Sequence, residues 1–179
     1  ASFVARATAG SPTLTLTLSQ GASVIATAMS PAPGQPAVLA GIGVPFDGDY
    51  SVTIQTNTSN GFSIQGYLQT AFELEGNGGA SNDSLATAQN LEGTSRSLTG
   101  SADRMAVSGA ISSALTADFY SFSLAAGESA SLALQRVGTT GMTLQLQNSA
   151  GIVVGTGGGG FSNVTAAILE YVAPTADTY

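Results

Sequence analysis

The stretch from residue 118 to residue 134, DFYSFSLAAGESASLAL, constrains the fold more than any other part of this 179-residue chain. On both sides of Gly127, apolar residues alternate with small or polar ones. The apolar positions are Tyr120, Phe122, Leu124, Ala130, Leu132 and Leu134. Alternation with a period of two is typical of half-buried β-strands, and the glycine marks a turn. The pattern therefore predicts a β-hairpin that turns at Gly127.

A second copy of this pattern opens the chain. Apolar residues precede Gly10 at the same spacing that separates the first three apolar positions from Gly127, and TLTLTL at 13–18 follows as the second strand. Gly34 lies 24 residues after Gly10, and Gly151 lies 24 residues after Gly127. The spacing of Pro45 and Tyr50 also recurs at Pro174 and Tyr179. These matches predict an internal repeat.

The offset between the two copies is 117 residues at the glycines and 129 at the proline and tyrosine. The second copy is therefore expected to contain about 12 extra residues, most simply the glycine-rich loop at 155–163. On this alignment the first copy lacks its N-terminal strand and the second lacks counterparts of residues 51–75. Each copy is then expected to present an open strand edge, which can recruit a strand from neighbouring sequence or from another molecule.

The remaining strand signals favour two β-sandwiches. Further strands are predicted at 2–7, 12–18, 22–29, 37–44, 49–56 and 62–74, and then at 105–111, 118–124, 129–134, 142–147, 152–155 and 164–172. A short helix is predicted at 84–91, with Ser84 as its N-cap. We predict an all-β chain with a first sandwich at 1–75, a linker and start of the second repeat at 76–103, and a second sandwich at 104–179.

Composition excludes several functional classes. The net charge is −7 and the only basic residues are four arginines, so the chain lacks the basic surface that nucleic acid requires. It has no histidine or cysteine, which removes the Ser-His-Asp triad, the Cys-His dyad and the ordinary zinc site. No apolar run approaches the roughly 20 residues that span a bilayer. We therefore expect neither an enzyme nor a membrane span.

Oxygen-bearing side chains concentrate where the predicted first sandwich ends. They are Glu73, Glu75, Asn77, Asn82 and Asp83, and Asp118 could join them in space. Carboxylate and amide oxygens are the ligands that Ca²⁺ prefers, although the EF-hand spacing is absent. Two readings stay open: a calcium site, or solvated linker residues that keep the end of a sheet soluble.

Two other patterns suggest chemistry less strongly. Glu73 and Glu75 would point to the same face of a strand, as a glycosidase pair does, but the chain has no tryptophan for sugar stacking. The glycine run at 155–160 has no lysine after it and opens no helix, so it is expected to be a flexible hairpin tip. Tyr50 and Tyr179 are expected to pack at the ends of the sandwiches.

The order of several segments resembles the bacterial pre-peptidase C-terminal domain, the PPC family. These segments are NDSLATAQNL at 82–91, VSGAI at 107–111, ADFYSFSLAAGES at 117–129 and APTADTY at 173–179, with VPFDGDY at 44–50 in the first copy. The resemblance implies jelly-roll-like sandwiches and, by similarity to collagenase collagen-binding domains, Ca²⁺ bound by Glu73, Glu75, Asn82, Asp83 and Asp118. Leu115 stands where that pattern has a second aspartate.

The resemblance and the repeat together predict a non-catalytic, structural or adhesive module of a large secreted or cell-surface bacterial protein. Such modules are expected to bind one another by strand addition and to form a fibre or surface layer. The alternative is an accessory domain of a secreted peptidase that aids secretion or binds a fibrous polymer.

Overall fold

A computed structural model describes residues 1–44, 47–100, 102–111, 117–138 and 141–179. The described chain is all-β and contains only three single-turn 3₁₀ helices, at Glu75–Asn77, Leu85–Thr87 and Glu92–Thr94. None of the described helices is long and apolar enough to cross a membrane. The chain forms two compact units, unit 1 at Ala1–Phe119 and unit 2 at Tyr120–Tyr179. The sequence-based domain boundaries near residues 75 and 104 remain a prediction.

The strands of unit 1 are β1 (Ser2–Ala7), β2 (Leu14–Gln20), β3 (Ser23–Met29), β4 (Ala37–Leu39), β5 (Ser51–Thr56), β6 (Phe62–Tyr67), β7 (Ala71–Phe72), β8 (Gln89–Asn90), β9 (Arg96–Thr99), β10 (Ala102–Arg104) and β11 (Val107–Ser108). The strands of unit 2 are β12 (Tyr120–Ser121), β13 (Ser123–Leu124), β14 (Ser129–Leu134), β15 (Gln145–Gln147), β16 (Val153–Thr156), β17 (Ala166–Val172) and β18 (Asp177–Thr178).

Unit 1 is a sandwich of two three-stranded antiparallel sheets. One sheet has the order β4-β1-β6 and the other β3-β2-β5. The leucines of TLTLTL are at most 1% exposed, and they pack in one cluster with Ala5, Ala37 and Leu39 of the facing sheet. The threonines between them point to the other side of β2, because successive side chains of a strand alternate. The predicted alternation is therefore confirmed in β2.

The predicted hairpins are wrong in both copies. β1 pairs with β4 and β6 rather than with β2, while β13 pairs with β18 and β14 pairs with β17. In each copy the chain leaves one strand and enters another sheet instead of folding back on itself. Gly10 has a φ of 67° and Gly127 a φ of 82°, the left-handed backbone that this change of direction uses. Alternation records which face of a strand is buried, but not which strand lies beside it.

Two of the four strand pairings in the three-stranded sheets of unit 1, β1–β6 and β2–β5, have counterparts in unit 2, β13–β18 and β14–β17. Arg6 pairs with Ser63 in unit 1, and Ser123 pairs with Thr178 in unit 2. These paired positions are offset by 117 and 115 residues.

The pair Leu16–Ile54 of β2 and β5 is matched in the same way by Leu132–Ile168 of β14 and β17, at offsets of 116 and 114 residues. β17 therefore corresponds to β5, and β18 corresponds to the start of β6.

This register corrects the sequence alignment. A nearly constant offset leaves no place for the predicted insertion of about 12 residues, and Tyr179 corresponds to the region of Ile64 rather than to Tyr50. Pro45 lies outside the described residues. The start of the glycine run is packed: a Cβ on Gly157 would lie 2.9 Å from the Leu144 Cβ, and the Gly158 amide donates to the Ala167 carbonyl. Gly158, Gly159 and Gly160 are exposed, so only the later part of the run agrees with the predicted tip.

Other local predictions changed in extent. The predicted strand at 105–111 is only β11, which pairs in parallel with β7. The predicted helix at 84–91 is a single 3₁₀ turn at Leu85–Thr87. Ser84 occupies the N-cap position with an extended backbone, but its hydroxyl lies 2.7 Å from the Thr87 hydroxyl and does not bond a backbone amide of the turn. Leu115 falls within 112–116, outside the described residues.

Candidate metal centre

Glu73 is a buried carboxylate held at the end of β7. Its side chain is only 3% exposed. Beyond the parallel β7–β11 pair, the Glu73 amide donates to the Ser108 carbonyl over 3.0 Å, and the Glu73 Oε2 accepts from the Ala110 amide over 2.7 Å. The C-terminal end of β11 and the residues just after it therefore position Glu73, and its Oε2 accepts from a backbone amide.

The turn after β7 is fixed by side chains that substitute for backbone partners. Asn77 donates from Nδ2 to the Glu73 carbonyl over 2.7 Å and accepts at Oδ1 from Arg6 Nη2 over 2.6 Å. Gln89 accepts the Leu74 amide at Oε1 and donates to the Phe72 carbonyl from Nε2. Each of these side-chain amides therefore uses both its oxygen and its nitrogen to hold the turn.

Asn82 joins the linker to the segment that carries Asp118. Asn82 is 2% exposed, and its side-chain Nδ2 donates to the Phe119 backbone carbonyl over 3.2 Å. The backbone carbonyl of Asn82 accepts the Phe119 amide over 2.8 Å. The backbone amide of Asn82 donates to Oε2 of Glu75 over 3.3 Å. The contact with the Phe119 carbonyl fixes the orientation of the Asn82 side-chain amide, because a flipped amide would place its oxygen against the carbonyl oxygen, and both are acceptors.

The Asn82 Oδ1 atom is buried and has no hydrogen-bond donor among the described residues. A buried acceptor without a partner costs about 1–3 kcal/mol, so native structures rarely leave one unsatisfied. An ordered water or a cation near this oxygen would remove the penalty.

The carboxylates of Asp118 and Glu75 act on that of Glu73. The pKa of Glu73 is raised, first by burial and then by the charge of Asp118, a hydrogen bond with Asp118 and the charge of Glu75, against a lowering contribution from the Ala110 amide. Ionised carboxylates this close together repel. The repulsion is relieved either by a proton on Glu73 or by a bound cation.

The structure does not bring every predicted ligand into this group. Asp83 is exposed, and its Oδ2 accepts from the Ser81 hydroxyl over 2.5 Å. Glu75 lies in a 3₁₀ turn, so the strand alternation that would align it with Glu73 does not apply. No three acidic side chains of the described residues are arranged to hold a metal ion by themselves. Any cation here would therefore need ligands besides these carboxylates, and the amide oxygen of Asn82 is a candidate.

The aromatic residues singled out in the sequence are mostly packed. In unit 2, Tyr179 is 5% exposed, and its ring lies 5.4 Å from that of Tyr171 and 6.3 Å from that of Phe122. The hydrogen bond with Tyr171, followed by burial, raises the pKa of Tyr179 to about 12. In unit 1, Tyr50 packs against the core. These rings support the two cores.

Sequence reasoning missed Gln89 and Arg6, whose side chains hold the turn. Their roles depend on which backbone groups the fold leaves unpaired, and no spacing in the sequence encodes that. No known protein family, curated protein or solved structure matches this chain.

Proposed function

We propose that this chain is a non-catalytic β-sandwich module of a secreted or cell-surface protein, structural or adhesive, whose copies associate through sheet edges. The observation that carries the proposal is the shared register of β1, β2, β5 and β6 with β13, β14, β17 and β18. The recurrence of these two pairings supports a chain built from units that stack or join, as repeat proteins are.

The edge that fits strand addition best is β6. It is the outer strand of the β4-β1-β6 sheet, and all six of its residues are exposed. Phe62 and Ile64 pair with Ala7 and Ala5 of β1 and so point to the core side of the sheet, yet they are 49% and 42% exposed. The strand carries no charge. A long, uncharged, apolar edge is what a further strand would cover.

A charge on this edge tests the association. Ile64→Lys places a lysine on β6, which is how natural edge strands prevent pairing. Val137→Lys is the matched control, because Val137 is 99% exposed and lies outside the strands. Light scattering should show that the unsubstituted chain associates with rising concentration, and that only Ile64→Lys abolishes this. A chain that stays monomeric at every concentration would contradict the edge proposal.

Calcium is the cofactor proposed for this module. Glu73, Glu75, Asp118 and Asn82 would hold it, because Asn82 supplies an unpaired buried oxygen and the carboxylates supply negative charge. When bound, the ion would offset the repulsion between carboxylates and tie the turn after β7 to the segment before β12. Its role is structural, since binding to the folded state alone raises stability.

Thermal melting in calcium and in chelator tests this role. Calcium should raise the melting temperature of the unsubstituted chain, and Asn82→Ala and Asp118→Asn should lose the rise. Asp83→Asn is the matched control: its carboxylate already accepts a hydrogen bond from Ser81, so the variant should keep the rise. Equal melting curves in calcium and chelator would rule out calcium while leaving the module proposal standing.

The second candidate function is an accessory domain of a secreted peptidase. The PPC resemblance of 82–91 and 117–129 favours it. The full-length sequence decides between the candidates: a peptidase domain would support the accessory role, and further copies of this repeat would support the structural one.

A further inference from the structure

Two of the four cations of the chain face each other on one small ribbon. β9 and β10 form a two-stranded antiparallel sheet in which Arg96 pairs directly with Arg104. Residues that are directly opposite in an antiparallel pair put their side chains on the same face, with Cβ atoms about 5 Å apart. The two guanidinium groups therefore share one face of the ribbon.

Nothing in the described part of unit 1 neutralises this pair. Neither guanidinium group forms an ion pair or a side-chain hydrogen bond with another described residue. The nearest acidic position on the ribbon, Asp103, pairs with Ser97 and accepts its hydroxyl over 2.7 Å. Both belong to the opposite face, because neighbouring residues alternate. Like charges placed opposite each other across two strands are destabilising.

The space beside Arg96 suits a small anion. A cavity of about 200 Å³ opens there, and no acidic side chain lines it. Its walls include Gly41, Gly43, Gly93, Thr94, Ser95 and Arg96. Glycine walls let a ligand approach the backbone closely, and Ser95 adds a hydroxyl donor. Arg96 is the one charged side chain among the described residues that line the cavity.

We infer that Arg96 and Arg104 form a binding site for a tetrahedral oxyanion, a sulfate or phosphate group. Each guanidinium offers several N–H donors in a fixed plane, and such groups bind oxyanions through paired charge-assisted hydrogen bonds. A dianion bound between the two guanidinium groups would attract both of them and so offset their mutual repulsion. The site is separate from the carboxylate group around Glu73 and does not depend on the proposed function.

Sodium sulfate at low millimolar concentration, compared with sodium chloride at equal ionic strength, tests the site. Sulfate should raise the melting temperature saturably, and titration calorimetry should show weakening of roughly tenfold or more in Arg96→Gln and Arg104→Gln. Arg136→Gln is the matched control, because it removes the same charge from unit 2 and should keep full binding. Equal loss in all three variants would show a general charge effect and overturn the site.

The repulsion between Arg96 and Arg104 should also be measurable without sulfate. In chloride at low ionic strength, Arg104→Gln should melt above the unsubstituted chain, because it removes a like charge, while Arg104→Lys should not. A lower melting temperature for Arg104→Gln than for Arg104→Lys would overturn the inferred repulsion. Replacing sulfate ion with dextran sulfate then distinguishes the source: tighter binding of the polymer identifies sulfate groups on a chain, and equal binding per sulfate identifies the free ion.

Discussion

Replacing Leu16 with alanine should destabilise unit 1 more than almost any other single change. Leu16 is 0% exposed in the central strand of the β3-β2-β5 sheet, where Ala28 and Ile54 lie beside it. Leu→Ala at a fully buried site costs about 2–5 kcal/mol, because the apolar contacts are lost and a cavity remains. The neighbouring β-strands restrict collapse around that cavity, so we expect a value of about 3–4 kcal/mol.

The matched control lies one residue further along the same strand. Thr17 points to the outer face, where its hydroxyl lies 3.3 Å from the Thr27 hydroxyl, so Thr17→Ala should cost no more than about 1 kcal/mol. Native-state hydrogen exchange at the β2 amides measures the stability of unit 1 separately from that of unit 2, whereas a single melting curve does not separate the two units. A larger loss in Thr17→Ala than in Leu16→Ala would mean that β2 is shifted by one residue, which reverses its faces.

Three further predictions concern local features of both units. In the presence of chelator, the raised pKa of Glu73 means that its contribution to stability is present below pH 4.5 and is lost as the pH rises through the folded-state pKa. Urea titrations across this pH range should show that Glu73→Gln removes the pH dependence. Gly157→Ala should lower the stability of unit 2 by about 1–3 kcal/mol because its Cβ has no room, while Gly158→Ala, which meets open space, should cost much less. Tyr171→Phe should lower the pKa of Tyr179 from about 12 toward 10 in an ultraviolet titration, and an unchanged value would remove the hydrogen bond as its cause.

The sequence predicts burial in this chain better than it predicts neighbours. TLTLTL and SASLAL alternate because one side of each strand faces a core, so the strands and the buried side of β2 follow directly from the residues. Whether β14 lies beside β13 or beside β17 depends on contacts between residues far apart in the chain. A short turn with a glycine is compatible with both arrangements, and this is why the hairpins were predicted wrongly.

The candidate sites show the same division. Asn82 could be selected as a ligand from its chemistry, but that its Oδ1 lacks a donor depends on the contact of its Nδ2 with Phe119, 37 residues later. The Arg96–Arg104 pair could not be found at all, because it depends on the register of a ribbon with a bulge between Ala102 and Asp103. The glycine spacing at Gly10 and Gly127 agrees with the two recurring strand pairings, but the spacing of proline and tyrosine misaligned the end of the second copy, because two residues at equal spacing carry little positional information.

Engineered disulfides test the shared register most directly, because the chain has no cysteine of its own. Ser123→Cys combined with Thr178→Cys joins two directly paired residues of β13 and β18, whose Cα separation in an antiparallel pair lies in the range that a disulfide spans. Ser123→Cys combined with Ser131→Cys instead joins the residues that the sequence-predicted hairpin would pair. Mild oxidation of the folded chain should close the first pair rapidly and leave the second as free thiols. Closure of the second pair without the first would contradict the register on which the repeat, and the module proposed from it, depend.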